Sequence, residues 1–173
     1  MMNEPLVIAY DAKRITHNAT GLGNYGRMMV EALVRFAPQN RYLLCSPDPG
    51  RTDLRERLPR VEQIEFLFPN PPRRGLGKAL WRSFGIRREL PPETALFHGL
   101  AAELPCGLRK AGVKSVVTIH DLIFLRYPAY YKWIDRKIYT YKYKKACREA
   151  DRVIAISEAT KRDIVKFFGI APE

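Results

Sequence analysis

Acidic residues are scarce in this sequence. Against 30 Lys and Arg there are only 18 Asp and Glu, which leaves a formal charge of +12 and an isoelectric point near 9.8. Such an excess implies an anionic partner (nucleic acid, an acidic lipid surface or a phosphorylated small molecule), and charge alone does not choose among them. Cysteine is scarce too. Cys45, Cys106 and Cys147 are odd in number and widely spaced, without a metal-ligand pattern. Their usage points to the reducing cytosol and argues against a structural zinc. No apolar run approaches the ~20 residues that cross a bilayer, and the N-terminus lacks a signal-peptide core. Internal repeats and low-complexity segments are missing as well. What remains is an ordinary globular composition over 173 residues, a length that fits one domain burying roughly two-thirds of its unfolded surface.

Strand-like and helix-like segments alternate. Leu6–Tyr10 reads as a buried strand ending at Asp11, and Arg41–Ser46, Ile64–Phe68, Ala95–His98, Val116–Ile119 and Arg152–Ile156 as further short strands. Between them, Tyr25, Met28, Met29, Ala32, Leu33 and Phe36 fall on one stripe of a helix. Residues 76–90 form a second expected helix, with Leu76, Ala79, Leu80, Ser83 and Phe84 on one face, and 132–149 a third. Ser157 is placed to cap a closing helix that runs to Phe168 and ends at Gly169. Apolar strands separated by helices predict an α/β fold: an open, doubly wound, mostly parallel sheet covered on both faces.

Ligands of such sheets bind beyond the carboxyl ends of the strands, where strand order reverses. The residues following each strand therefore form the candidate site: Asp11, His98, His120-Asp121 and Ser157, with the glycine-rich segment Thr20-Gly21-Leu22-Gly23-Asn24-Tyr25-Gly26. Glycines between a first strand and a first helix let the backbone approach a diphosphate at the helix N-terminus, although turn chemistry alone accounts for them equally well. Lys13 to Thr20 separate them from the strand, which argues against a dinucleotide dehydrogenase. His98 reads either as a core-edge side chain or as a functional one. His120, followed by Asp121 and the aromatic loop of Phe124, Tyr127 and Tyr130, reads as functional. Asp121 would orient the imidazole or cap a backbone turn.

Taken together, Tyr10-Asp11-Ala12-Lys13-Arg14, the Thr20–Tyr25 turn, Val117-Thr118-Ile119-His120-Asp121-Leu122 and the block from Ala150 to Lys161 resemble the retaining glycosyltransferases of family 4, in the family's order, from Val7 to about Ile170. The resemblance implies a Rossmann-like domain, the acceptor-side N-terminal half of a GT-B fold, spanning 1–173. The donor-binding C-terminal half, with its Glu-x₇-Glu motif, is expected beyond this chain. It further implies that Gly21, Gly23 and Asn24 lie against the donor diphosphate. His120 and Asp121 would be the catalytic-site residues, with Asp121 orienting the loop. Asp11, His98, Tyr127 and Ser157 would line the acceptor side. The expected chemistry is hexose transfer from a nucleotide sugar to a saccharide, lipid-linked or small-molecule acceptor with retention, needing no metal and no cofactor.

Two other classes compete. The +12 charge and the run Tyr139-Thr140-Tyr141-Lys142-Tyr143-Lys144-Lys145 suggest a nucleic-acid binder, but no nucleic-acid-binding motif is present and the tyrosines fall on more than one helix face, so no specific nucleic acid is expected. A binding module without turnover is the other. Within the transferase reading, Lys137, Lys144 and Arg148 form a basic stripe. Helped by Arg73, Arg74, Lys78 and Arg82, it would touch an anionic membrane at the cytoplasmic face, unless it is simply a solvated surface.

Overall fold

A computed structural model describes residues 4–172. Six strands build one sheet: β1 (Val7–Asp11), β2 (Arg41–Cys45), β3 (Ile64–Leu67), β4 (Thr94–Gly99), β5 (Lys114–Ile119) and β6 (Arg152–Ala155). Their order is β3-β2-β1-β4-β5-β6, and every neighbouring pair is parallel. The chain thus reverses its direction of travel across the sheet between β1 and β4, which opens a crevice at their carboxyl ends. Among the described residues eight α-helices accompany the strands: α1 (Lys13–His17), α2 (Gly21–Phe36), α3 (Thr52–Arg55), α4 (Leu76–Leu80), α5 (Ile86–Glu89), α6 (Ile123–Arg126), α7 (Trp133–Glu149) and α8 (Glu158–Phe168).

Alternation along the strands sends side chains to the two faces of the sheet, where they join three core clusters. Ile8, Tyr10, Tyr42 and Leu44 pack with Val30 of α2. Ala9, Leu43, Cys45 and Phe97 face the other way, onto Trp81 and Ile86. Val117 and Ile119 of β5 meet Ala146 and Cys147 of α7, joined by Ile164 and Phe168 of α8. The expected doubly wound sheet with helices on both faces is what forms.

Three local expectations fail, each for a packing reason. First, the glycine segment is not a loop. Gly21 is the first residue of α2, so Gly23 and Gly26 lie inside its first turns, and the supposed linker contains the one-turn helix α1. Second, the buried stripe of α2 is rotated. Gly23, Gly26, Arg27 and Val30 face inward, while Met28, Ala32 and Phe36 are exposed. The glycines let α2 lie directly on the α1 segment: a Cβ on Gly23 would overlap the Asn18 carbonyl, and one on Gly26 would come within 2.7 Å of Ile15 Cγ1. Arg27 closes this contact, donating to the carbonyls of Ile15 (2.6 Å) and Asn18 (3.1 Å). Third, the expected helix over 76–90 is interrupted by a π-helical turn at Trp81–Gly85. Each π turn shifts the register of the helix faces. Trp81 and Ile86 are buried in consequence, whereas Leu76, Leu80 and Phe84 are exposed. Gly85 leaves room for the Trp81 indole, which donates to Glu89 Oε1 at 2.8 Å.

Candidate active site

The crevice between β1 and β4 has one strongly charged flank. Asp11, the last residue of β1, is 9% exposed. Its Oδ1 accepts the Lys13 amide at 3.2 Å, and its other oxygen binds the Arg82 guanidinium. Arg82 comes from the π turn and also reaches Glu103, at 2.9 Å. Glu103 in turn lies 3.6 Å from the ammonium of Lys142 on α7. Burial alone would lower the affinity of Arg82 for its proton; the charges of Asp11 and Glu103 outweigh it, and the net shift is upward.

The other flank is neutral and closely hydrogen-bonded. His98 is buried at the end of β4, its Nε2 2.9 Å from Thr118 Oγ1. The Tyr25 hydroxyl meets the same Thr118 oxygen at 3.3 Å. Burial pushes the His98 pKa down to about 4, so the ring is uncharged at neutral pH. Next to this group stands His120, whose ring lies edge-on to Tyr25 with centroids 4.8 Å apart. His120 Nε2 is 2.8 Å from the Leu100 carbonyl. A carbonyl only accepts, so Nε2 carries the hydrogen, and in the uncharged ring Nδ1 is left with its lone pair.

The loop that supplies this carbonyl is tightly determined. Gly99 admits the Glu103 backbone where any Cβ would overlap it. Ala102 sits in the left-handed region at φ 59, a conformation that favours glycine. Its amide donates to the Thr118 carbonyl at 3.0 Å. A second support comes from α8. Ser157 caps it by accepting the Thr160 amide at 3.1 Å, and the Thr160 hydroxyl donates to the His120 carbonyl at 2.9 Å. Arg126 and buried Asp163 join α6 to α8 through a two-pronged ion pair at 2.6 and 3.1 Å.

These contacts place each residue singled out from the sequence. Asp11, His98 and His120 gather at the carboxyl ends of β1, β4 and β5. His98 is a supporting core residue, with its ring committed to Thr118. Asp121 is exposed and closes the turn before α6, accepting the Ile123 amide at 3.1 Å. Its carboxylate has no hydrogen bond to His120 among the described residues. Ser157 acts as an N-cap and reaches His120 only through Thr160. Tyr127 is half-exposed after α6, its ring beside that of Tyr130. Asn24 gives its side-chain oxygen to Arg27 at 2.6 Å, and the Gly23 amide is taken by Asn18 Oδ1 at 3.2 Å. Gly21 alone of that trio is open: it is exposed, and a Cβ there would touch nothing. Of the basic stripe, Arg82 is buried in ion pairs and Lys78 binds Asp48 at 2.7 Å. Arg82, Glu103, Thr118 and Thr160 carry no local sequence signal, because they meet the site across long loops.

Glycosyltransferase Family 4 matches residues 19–173, most of the chain. The chain belongs to that family. No curated protein matches it. The family's sheet is that of the N-terminal domain of GT-B enzymes, and the open six-stranded parallel sheet fits it. Asp11 and Lys13 lie ahead of the matched stretch, so their placement comes from the fold alone. Family 4 membership brings a transferase-type domain and does not favour the nucleic-acid reading. No helix among the described residues is long and apolar enough to cross a membrane.

Proposed function

We propose that this chain is the acceptor-side half of a glycosyltransferase that moves a hexose from a nucleotide sugar to a saccharide, lipid-linked or small-molecule acceptor, with retention of configuration. The observation that carries the reading is the fixed ring of His120 at the end of β5, in a chain of Family 4. With Nε2–H held by the Leu100 carbonyl, Nδ1 is free to accept a hydrogen bond from an acceptor hydroxyl. The imidazole thus orients the acceptor beside the transferred sugar and forms no covalent bond to it. Gly21, open at the start of the 16-residue helix α2, suits the donor diphosphate, whose negative charge the helix N-terminus favours. On this reading the departing diphosphate takes the acceptor proton, so the protein contributes positioning and charge stabilisation. The donor-binding half belongs to a second domain, so residues 1–173 alone fold, bind nucleotide weakly and turn nothing over.

The test uses the protein joined to its donor-binding half. His120→Ala should lower turnover about a hundredfold or more, the usual weight of a positioned polar group, while melting changes little. Wild-type turnover with a much lower melting temperature would return His120 to the core. A membrane-borne acceptor is supported by Trp133 and Ile134, each 63% exposed beside Lys132 and Lys137. Sedimentation with anionic but not neutral vesicles is then expected, and equal binding to both would count against it.

A further inference from the structure

A ring held at one nitrogen still has one way to move. His120 Nε2, 2.8 Å from the Leu100 carbonyl, lies close to the line that runs from Cβ through the ring. A turn about χ2 therefore moves Nε2 little and swings Nδ1 through a wide arc, and χ2 of a histidine has only broad preferences of its own. Nδ1 is the atom offered to the acceptor hydroxyl, so this turn decides where that hydroxyl sits. What blocks it is the ring of Tyr25, perpendicular to the imidazole at 88° with centroids 4.8 Å apart. Tyr25 is itself fixed at both ends. Its backbone belongs to α2, and its half-buried ring packs against the core that contains Tyr10 and Val30. Its hydroxyl meets the fully buried Thr118 at 3.3 Å, and Thr118 is held in turn by His98.

We infer that Tyr25 is a positioning residue for His120: its ring, set by α2, fixes the plane of the imidazole and so the direction of Nδ1. Gly21 and Tyr25 stand four residues apart, on one face of the same helix. One rigid element thus carries both the open position at its start and the ring that aims His120. Donor and acceptor are held in register by a helix, and no loop intervenes. An edge-to-face ring pair favours one orientation over another by about two- to tenfold. A step that depends on where one hydroxyl points feels that bias directly. The part played by this ring in turnover rests on the glycosyltransferase reading; its hold on the imidazole does not.

Carbon relaxation at His120 Cδ2, in the 173-residue chain labelled at histidine, reports motion about χ2 without any turnover. Wild type and Tyr25→Phe should both show a rigid ring, with an order parameter of about 0.85. Phe keeps the edge contact and loses only a long hydrogen bond. In Tyr25→Leu the value should fall toward about 0.6, the flexible range. Turnover is read in the protein joined to its donor-binding half, with UDP-glucose and GDP-mannose as donor probes. There Tyr25→Leu should lower kcat by about five- to tenfold at unchanged donor KM, while Tyr25→Phe stays within about twofold. A lower melting temperature in Tyr25→Leu, with ring order and kcat as in the wild type, would make Tyr25 a packing residue and overturn the inference. Equal losses in Tyr25→Phe and Tyr25→Leu would move the role to the hydroxyl and overturn it as well. Should Tyr25→Leu loosen the ring while His120→Ala costs no turnover, the glycosyltransferase reading of His120 fails and the hold on its ring stands.

Discussion

The two flanks of the crevice solve the same problem in opposite ways. On the α2 side, polar groups are neutral and matched: Tyr25, Thr118 and His98 bond one another, and His120 bonds a main-chain carbonyl. On the Arg82 side they are ions, Asp11 and Glu103 sharing Arg82 while Lys142 faces Glu103. A matched neutral network fixes geometry and leaves little for a ligand to gain by displacing it. A charged network that shares one buried guanidinium between two carboxylates depends instead on that single cation. The difference separates a flank held by matched dipoles from one held by a single ion.

The sharpest break in that comparison is at Arg82. Arg82→Met leaves Asp11, almost fully buried, and Glu103 without their shared cation. Losing one partner of a buried pair costs about 3–5 kcal/mol, roughly 10 °C in melting temperature for a chain of this length. Asp11→Asn in the same background should recover part of it, since the stranded charge is then gone. If Arg82→Met melts like the wild type, the pair is not the keystone of its flank.

The neutral flank answers to pH instead. Burial lowers the His98 pKa to about 4, well below the ordinary histidine range. The unfolded chain therefore takes up a proton before the native one does. Stability from this group is whole above about pH 6.5, declines as pH falls, and is fully lost below about pH 4; the difference is roughly 3 kcal/mol. Denaturant titrations from pH 7 to 4 should show a shallower slope in His98→Gln than in the wild type. Identical slopes would mean that the ring ionises inside the fold.

A smaller effect separates the two glycines expected at the diphosphate. Gly23→Ala forces a methyl into the Asn18 carbonyl, and such overpacking costs about 1–3 kcal/mol. Gly21→Ala meets open space, so its stability should stay within about 0.5 kcal/mol of the wild type. Nucleotide binding by the two variants then distinguishes packing from ligand approach. Equal melting of both would show that α2 can lift off the α1 segment freely.

Much of this was legible in the sequence, and the rest fails for identifiable reasons. Short apolar runs with turn residues between them marked all six strands, and most plainly β1, which is buried on both faces and so has little freedom of composition. The strand-end positions of Asp11, His98 and His120 followed from that alone. The glycine segment misled because glycine has two uses, ligand approach and close helix contact, and spacing does not distinguish them. Arg27 was invisible as a core residue, since its burial depends on two carbonyls supplied by Ile15 and Asn18. Trp81 and Phe84 exchanged places because one π turn shifts a face by a residue, and no hydrophobic pattern announces it. Arg82 counted as surface charge because its partners lie 71 and 21 residues away along the chain.

The smallest expected effect lies within the strand-end pair His120-Asp121, where the two flanks come closest in sequence. Asp121 is exposed, and its carboxylate accepts the Ile123 amide in a turn that leads into the four-residue helix α6. Loss of such an exposed turn hydrogen bond costs about 1 kcal/mol, and α6 is further held by the Arg126–Asp163 pair, so Asp121→Ala should fall at or below that figure. Asp121→Asn keeps the accepting oxygen and should be neutral in stability. In the protein joined to its donor-binding half, both variants should retain turnover within a few-fold while His120→Ala does not. The neutral flank then acts through a ring held by a carbonyl, without a carboxylate behind it. A large loss of turnover in Asp121→Asn, at unchanged stability, would instead require the negative charge itself and would move Asp121 from turn to chemistry.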